Sequence, residues 1–359
     1  MRIGVLLSGG VDSSTALLLL RKSYPDAAIS AYYLKIWLED ELAFLGTCPW
    51  EEDLSYAHAV CDIAKIPLRI ISLQKEYWES VVSYTLAELK VGRTPSPDIL
   101  CNRRIKFGAF LHRVGESLDR VASGHYAVCT QGSGGVYYIR RSPDAVKDQT
   151  YFLSQLTQMQ ASMAVFPIGG MTKSEVRRMA ADFNVPAKTR KDSQGICFLG
   201  GIKYRDFVRH YMGEKSGKIL ELETNRELGI HRGSWFYTIG QRTRLGLSDG
   251  PWYVVAKNHE ENTVTIARGM NAQARACACF FTGRPNWISG PPRDTRVSLK
   301  LRHGSKIVSA TIKNFGSEQG ERLQVDMDEP DRGVAPGQFA VFYHEDVCLG
   351  GAMIAAMHE

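Results

Sequence analysis

Three groups of residues in this 359-residue chain carry reactive chemistry. The first is the run Ser8-Gly9-Gly10-Val11-Asp12-Ser13-Ser14. Adjacent glycines permit positive φ and let a ligand approach the backbone closely. Peptide N–H groups, serine hydroxyls and the positive end of a following helix then converge on one place, which suits phosphate. The second is Cys101, at the start of a basic helix after a proline-rich turn, where the helix dipole, Arg103 and Arg104 favour thiolate over thiol. The third is Cys197 in Asp192-Ser193-Gln194-Gly195-Ile196-Cys197-Phe198, near Lys188, Arg190 and Lys191. Its neighbours Ile196 and Phe198 suit a buried, inert thiol equally well.

The elements that must hold these residues follow from periodicity. Ile3 to Leu7 is an apolar run before the glycines and Ala16 to Leu20 another after them, so the loop joins a strand to a helix. Further strands are expected at Ile29 to Trp37, Leu68 to Leu73 and Arg120 to Ser123. Helical patterns lie at Asp53 to Lys65, with Cys61 on the core face, at Tyr77 to Leu89, and after Pro97 with Phe107, Leu111, Val114 and Leu118 on one face. Strands alternating with helices predict an α/β fold with a parallel sheet covered on both sides, whose ligands sit beyond the carboxyl ends of the strands. Leu34 and the Gly124-His125-Tyr126 run are then delivered to that rim, where His125 either faces a nucleotide or is a hydrogen-bonded rim histidine.

Alternation around Gly132 to Gly135 predicts a hairpin over Ala127 to Arg140. Lys147 to Leu153 opens a helix, and Thr172 to Asn184 is another, with Thr172 and Glu175 forming a capping box. Past Gly200 the texture becomes glycine-rich, with a strand-like piece at Ser234 to Ile239. Short strands follow at Val297 to Leu301, Ile307 to Ile312, Leu323 to Met327, Phe339 to Tyr343 and Leu349 to Ile354, predicting a C-terminal β-barrel. The expected domains are 1–200 for nucleotide binding and catalysis, 201–275 for a small central domain and 276–359 for the barrel.

Composition sets wide bounds. With 44% hydrophobic and 23% charged residues the chain is an ordinary globular protein, and no apolar run approaches membrane-spanning length. A cytoplasmic location is the expectation. The net charge of +6 is modest, but basic residues cluster, as at Arg103 to Lys106 and Arg296 to Lys306, which permits a polyanionic partner. Eight cysteines without a CxxC pair or a Cys/His set of zinc spacing leave no disulfide framework and no metal fixed by protein ligands. Cys277 and Cys279 read as buried strand residues.

The first loop resembles the SGGxDS loop of the ATP pyrophosphatases (PP-loop superfamily), which hold ATP and release pyrophosphate after adenylating a substrate. Further motifs occur in the order seen in the tRNA-specific 2-thiouridylases: Ser96-Pro97-Asp98-x-x-Cys101-Asn102, Gly124-His125-Tyr126-Ala127, Lys147-Asp148-Gln149-Thr150-Tyr151, the Cys197 motif and Tyr237-Thr238-Ile239-Gly240-Gln241-Arg242. The similarity runs from the first strand through Pro251-Trp252-Tyr253 and more loosely to the C-terminus.

The resemblance implies a reaction. ATP, gripped by Leu6, Leu7, Ser8, Gly9, Gly10, Val11, Asp12 and Ser13 with Leu34 and Gly124 about the adenosine, and with Mg2+ on its phosphates, adenylates the 2-oxygen of a tRNA wobble uridine. Cys197 receives sulfur as a persulfide from a sulfur-relay protein, and Cys101 is the nucleophile; the two end as a transient disulfide. Asp98 is implied as acid/base, with Ser96 and Pro97 beside it at the base, although Asp98 also suits a helix N-cap. Lys147, Asp148, Gln149, Arg302 and His303 are implied to touch tRNA. The chain departs from the family pattern at Leu6-Leu7, Ser96, Gln194 and His303, where Gly-Met, Asn, Thr and Tyr are usual. Two other readings share these features, an adenylating ligase of the same superfamily, whose activity would not need the cysteines, and a tRNA-binding protein without chemistry.

Overall fold

A computed structural model of the chain describes residues 1–36, 50–191, 202–243, 250–317 and 320–356. Cys197, its motif and its disulfide with Cys101 lie outside the described residues, as do Gln194, Cys48 and the last residue of the expected second strand, Trp37.

Strand β1, Arg2–Leu6, leads through the glycines into the first helix, Val11–Ser23. Strands β2, Ala28–Lys35, β3, Leu68–Ser72, and β4, Arg120–Ala122, follow, then the hairpin β5, Ala127–Gln131, with β6, Tyr137–Arg141, and the short β7, Ala164–Val165. The first sheet runs β3-β2-β1-β4-β7, and every pairing in it is parallel. Side-chain alternation splits its core: Ile3, Val5, Ala31 and Tyr33 pack with Leu17, Val60 and Cys61 on one face, whereas Leu6, Tyr32 and Val121 join Phe110 and Cys101 on the other. Fully burying an Ile, Val, Leu or Phe side chain among them contributes about 1.5–3 kcal/mol. Cys61 is thus a core residue, as its spacing predicted.

The middle of the chain forms a second sheet from β8, Gly217–Glu221, β9, Glu227–His231, β10, Arg242–Thr243, β11, Trp252–Asn258, and β12, Thr263–Arg268, in the order β10-β11-β12-β8-β9. Ser234 to Ile239 is not a strand: Ser234–Phe236 is a tight helical turn, and Thr238 N–H is taken by Gln241 Oε1 instead of a ladder.

The last module uses β13, Cys277–Thr282, β14, Asn286–Trp287, β15, Arg296–Lys300, β16, Val308–Ser317, β17, Gly320–Asp331, β18, Phe339–His344, and β19, Val347–Ala356. Six of them run β13-β17-β16-β15-β18-β19, and β13 pairs again with β19, closing the predicted barrel. Beyond it, β19 also pairs antiparallel with β6, so the early hairpin belongs to the barrel's sheet. Cys277 and Cys279 lie on β13 but are only partly buried, and the register with β17 shifts between them. Among the described residues, no helix is long and apolar enough to cross a membrane.

Candidate active site

The glycine loop takes the shape that its residues require. Gly9 has φ of +74°, and a Cβ there would stand 2.1 Å from the carbonyl oxygen of Asp53. Gly10 precedes the helix, and Ser13 Oγ accepts from Ser8 N–H at 3.2 Å while lying 3.1 Å from Ser8 Oγ, which draws the turn closed. Gly124, at the end of β4, abuts this helix so tightly that a Cβ would sit 2.7 Å from Ser13 N. Leu6, Leu7 and Val11 are buried, which leaves their backbone and not their side chains to face a ligand. Leu34 stands partly exposed near the carboxyl end of β2. His125 is satisfied locally: Nδ1 lies 2.7 Å from Ser123 Oγ, and the ring packs on Phe107 and Phe166. Burial, with Lys106 nearby, pushes its pKa well below the usual value.

Pro97 opens a helical stretch over residues 97–114, as proline does where its missing N–H is not needed. From Cys101 to Ala109 the stretch widens into a π-helix, a geometry found disproportionately at functional sites. Ser96, Pro97, Asp98 and Ile99 line a cleft of about 480 Å3, with Tyr151, Phe152, Tyr204, Trp235 and Phe236 among its walls. Its rim joins all three modules: Thr94 N–H donates to Pro336 O at 2.8 Å, and Thr238 and Gln241 come from the central module.

Cys101 follows Asp98 by three residues, within one helical turn, and is only 1% exposed. The sequence reading placed Arg103 and Arg104 beside that thiol. In the fold Arg103 donates to Gln155 and Arg104 to the Ser80 carbonyl, so the guanidinium hydrogen bonds go elsewhere. Asn102 Nδ2 donates to Phe152 O at 3.1 Å and fixes that cleft wall.

The residues implied to touch tRNA separate into two kinds. Lys147 and Gln149 are partly exposed, although Gln149 Oε1 accepts the Tyr126 N–H. Asp148 has no exposure: Lys300 Nζ lies 2.7 Å from its carboxylate, and Thr150 Oγ1 donates to it at 2.9 Å. Its side chain therefore ties the first module to the barrel and does not present itself to RNA. Arg302 is exposed but forked onto Asp331, and His303 stacks on Phe152 with ring centroids 4.8 Å apart, so it adjoins the cleft.

Sequence reasoning brought Tyr126 to the rim but missed its contact with the loop, and it missed Lys173 altogether. Tyr126 Oη donates to Asp12 Oδ1 at 2.8 Å and Lys173 Nζ lies 2.7 Å from the same oxygen. The capping box before Lys173 was legible, but nothing local pointed its side chain at a loop 161 positions away.

Two contacts stand at the described residues on either side of 192–201. Arg190 Nη1 lies 2.7 Å from Asp53 Oδ1, on the helix whose backbone packs on Gly9. Ile202 is buried in the core cluster that contains Cys101.

Comparison with known proteins places these features. The tRNA methyl transferase HUP domain family matches residues 1–201, the tRNA methyl transferase PRC-barrel domain family residues 205–268, and the Aminomethyltransferase beta-barrel domain family residues 277–354. The chain is 40% identical to a tRNA-specific 2-thiouridylase MnmA of Parabacteroides distasonis, with 99% of each protein covered. It is 41% identical to the protein of that name in Porphyromonas gingivalis, again over 99% of both.

Proposed function

This chain belongs to the family of tRNA-specific 2-thiouridylases, and on that premise we propose that it exchanges the 2-oxygen of a tRNA wobble uridine for sulfur at the expense of ATP. The observation that carries the reading is the cleft over Ser96, Pro97 and Asp98, walled by aromatic rings and one helical turn from Cys101. An enzyme acting on a base must take it out of its stack, and aromatic walls stack on an extruded base.

ATP lies in the glycine loop, with Leu34 and Gly124 about the adenosine. The uridine oxygen attacks the α-phosphorus and pyrophosphate leaves, which converts a poor leaving group into AMP. Asp12 is the loop's only carboxylate, and the described residues hold no cluster of three or more His, Cys, Asp or Glu that would cage a metal. That donor set fits Mg2+ carried largely by substrate phosphates, where it neutralises their charge.

Cys197 carries the incoming sulfur as a persulfide received from a relay protein. Cys101 attacks the inner sulfur, forming the Cys101–Cys197 disulfide and expelling sulfide, which adds to C2 of the base as AMP departs. Two electrons from a thiol reductant then restore both cysteines. The flanks of the Cys197 segment support this arrangement, since Arg190 is held beside the phosphate loop and Ile202 in the core around Cys101. Asp98 moves the proton at the base, and Ser96 and Pro97 set its slot. Lys147, Gln149, Arg302 and His303 contact the tRNA, with its backbone held in a salt-dependent way. Work on tRNA is consistent with the cytoplasm.

The test is thiolation with purified protein, ATP, Mg2+, unmodified tRNA and a persulfide donor, followed by gel retardation on mercury. Cys101→Ser and Cys197→Ser should each abolish thiouridine while AMP formation persists. Thiolation by Cys197→Ser equal to wild type defeats the carrier role. Activity independent of both cysteines restores the ligase reading, and tRNA binding without AMP restores the binding-protein reading.

A further inference from the structure

Where the central module meets the barrel, a second cavity of about 310 Å3 opens beside the cleft, and Thr238 and Gln241 line both. Three cations, Arg302, Lys306 and Arg332, line it against one carboxylate, Asp331. A base extruded into the cleft leaves its sugar and phosphates outside. The border shared with the second cavity is one side along which that backbone can run.

Close backbone packing fixes the shape of this cavity. Gly240 has φ of +82°, and a Cβ there would stand 2.6 Å from Gly333 Cα, so the two modules meet backbone to backbone. Asp331 is buried: Arg302 forks onto its two oxygens at 3.0 and 3.1 Å, Lys306 Nζ donates to Oδ2 at 2.9 Å, and Gly333 N–H donates to Oδ1 at 2.7 Å. A Cβ on Gly333 would stand 2.1 Å from Arg302 Nη1, so a glycine is what lets the guanidinium reach the carboxylate. The Arg302 and Lys306 side chains are nonetheless 51% and 54% exposed. A guanidinium has five donors and an ammonium three, and Asp331 engages only part of either set. Arg332 is held differently, 4.3 Å from the centre of the Tyr253 ring, and Tyr253 faces the exposed Arg242 across β10 and β11. Among the described residues no carboxylate pairs with Arg332. One buried carboxylate thus aligns two cations and leaves the third uncancelled, so the cavity keeps a net positive charge.

We propose that Arg332 and Lys306 bind a backbone phosphate of the tRNA next to the extruded uridine, with Arg302 beside them on Asp331. This rests on the reading that the cleft receives the wobble base. A planar guanidinium and a compact ammonium both suit a phosphodiester, and charge-assisted hydrogen bonds to it are stronger than neutral ones. The contact carries no sequence information and instead fixes register and orientation. A strand gripped at the base by the cleft and at an adjoining phosphate by this cavity cannot turn about its backbone, so the 2-oxygen stays aimed. The cations come from the barrel and the opposing wall, Gly240 and Gln241, from the central module, so the grip needs both modules in contact.

Equilibrium binding of an unmodified anticodon stem-loop RNA to the full-length protein, at several salt concentrations, tests this. Arg332→Gln and Lys306→Gln should each weaken binding about fivefold and lower the salt slope of log K by about one. Stem-loops in which a single linkage beside the target uridine is a neutral methylphosphonate separate this role from a structural one. On the RNA that lacks the seated charge, Arg332→Gln and wild type should bind within about twofold of each other, while on the other RNAs the deficit persists. Variant affinities equal to wild type on unmodified RNA, or a deficit of the same size on every methylphosphonate RNA, would each overturn the proposal. Lys306→Gln gives the same readout if Arg332→Gln does not fold. Wild-type protein that binds a stem-loop with an abasic target position as tightly as the uridine RNA would reject the cleft reading itself, and the proposal with it. A wild-type preference for the uridine RNA without any linkage-specific deficit would reject the phosphate site alone.

Discussion

Asp148 and Lys300 stand 2.7 Å apart with both side chains wholly removed from solvent, although 152 positions separate them in the chain. The pair joins the loop after the β5–β6 hairpin to the last residue of β15. Removing Asp148 strands the buried Lys300 ammonium, at a cost of about 3–5 kcal/mol, whereas removing Lys300 leaves Asp148 with Arg141 at 3.6 Å and the Thr150 hydroxyl and costs less. Asp148→Ala should therefore lower the thermal midpoint sharply, and Lys300→Met less so. The double change Asp148→Leu/Lys300→Met should recover much of the loss. A double variant no more stable than the worse single one would refute the pairing as the cause.

At the phosphate loop the two tightest glycines should tolerate no side chain. Gly9→Ala combines positive φ with a Cβ 2.1 Å from Asp53 O, and Gly124→Ala puts one 2.7 Å from Ser13 N. Both obstacles are backbone, which cannot swing aside. Each variant is expected to lose ATP binding by at least tenfold in equilibrium titration. Gly134→Ala, with open space around it in the hairpin turn, should bind ATP as wild type does.

Stability should fall on mild acidification. Burial holds His125 and His231 below the ordinary histidine pKa of 6.5. The unfolded chain therefore binds more protons than the fold between the depressed values and 6.5, and stability rises with pH across that window. The thermal midpoint should drop as pH is lowered below 6.5, and His125→Asn should flatten the slope. A midpoint independent of pH throughout that window would show that His125 is not held neutral.

Two cations implied to hold tRNA should behave differently. Lys147→Ala should weaken tRNA binding and reduce the salt dependence of log K by about one ion. Arg302→Ala should also disturb the fold. Burial raises the Asp331 pKa, but hydrogen bonds from Arg302, Lys306 and the Gly333 N–H outweigh it and bring it down to about 2. That stabilisation is present above the ordinary 3.8 and disappears as pH falls through about 2, so the Arg302→Ala deficit should shrink in acid. Denaturant titrations at neutral and strongly acidic pH would detect the difference.

What sequence could reveal here was local. The glycine loop, the helix after Pro97 and the capping box at Thr172 are each written in a few consecutive residues, and the fold realises them. The tRNA contact at Asp148 is implied by the family resemblance alone, and only the third dimension supplies Lys300. Lys173 went unnoticed for the same reason, its partner being the distant Asp12. Arg103 and Arg104 follow Cys101 on its helix as expected, but their hydrogen bonds to Gln155 and the Ser80 carbonyl depend on distant segments and could not be read locally. The strand expected at Ser234 to Ile239 lost to a tight turn after Gly233, whose φ of +146° is unsuited to a regular ladder.

The pairing of β6 with β19 gives the barrel an ancestry problem that a detachable accessory would not have. Strands far apart along the polypeptide complete a common ladder, so transplanting the C-terminal portion onto another scaffold would sever its hydrogen bonds along Val347 and Cys348. Exchange between relatives is expected to succeed only when hairpin and barrel are inherited together, and chimeras that split them should misassemble.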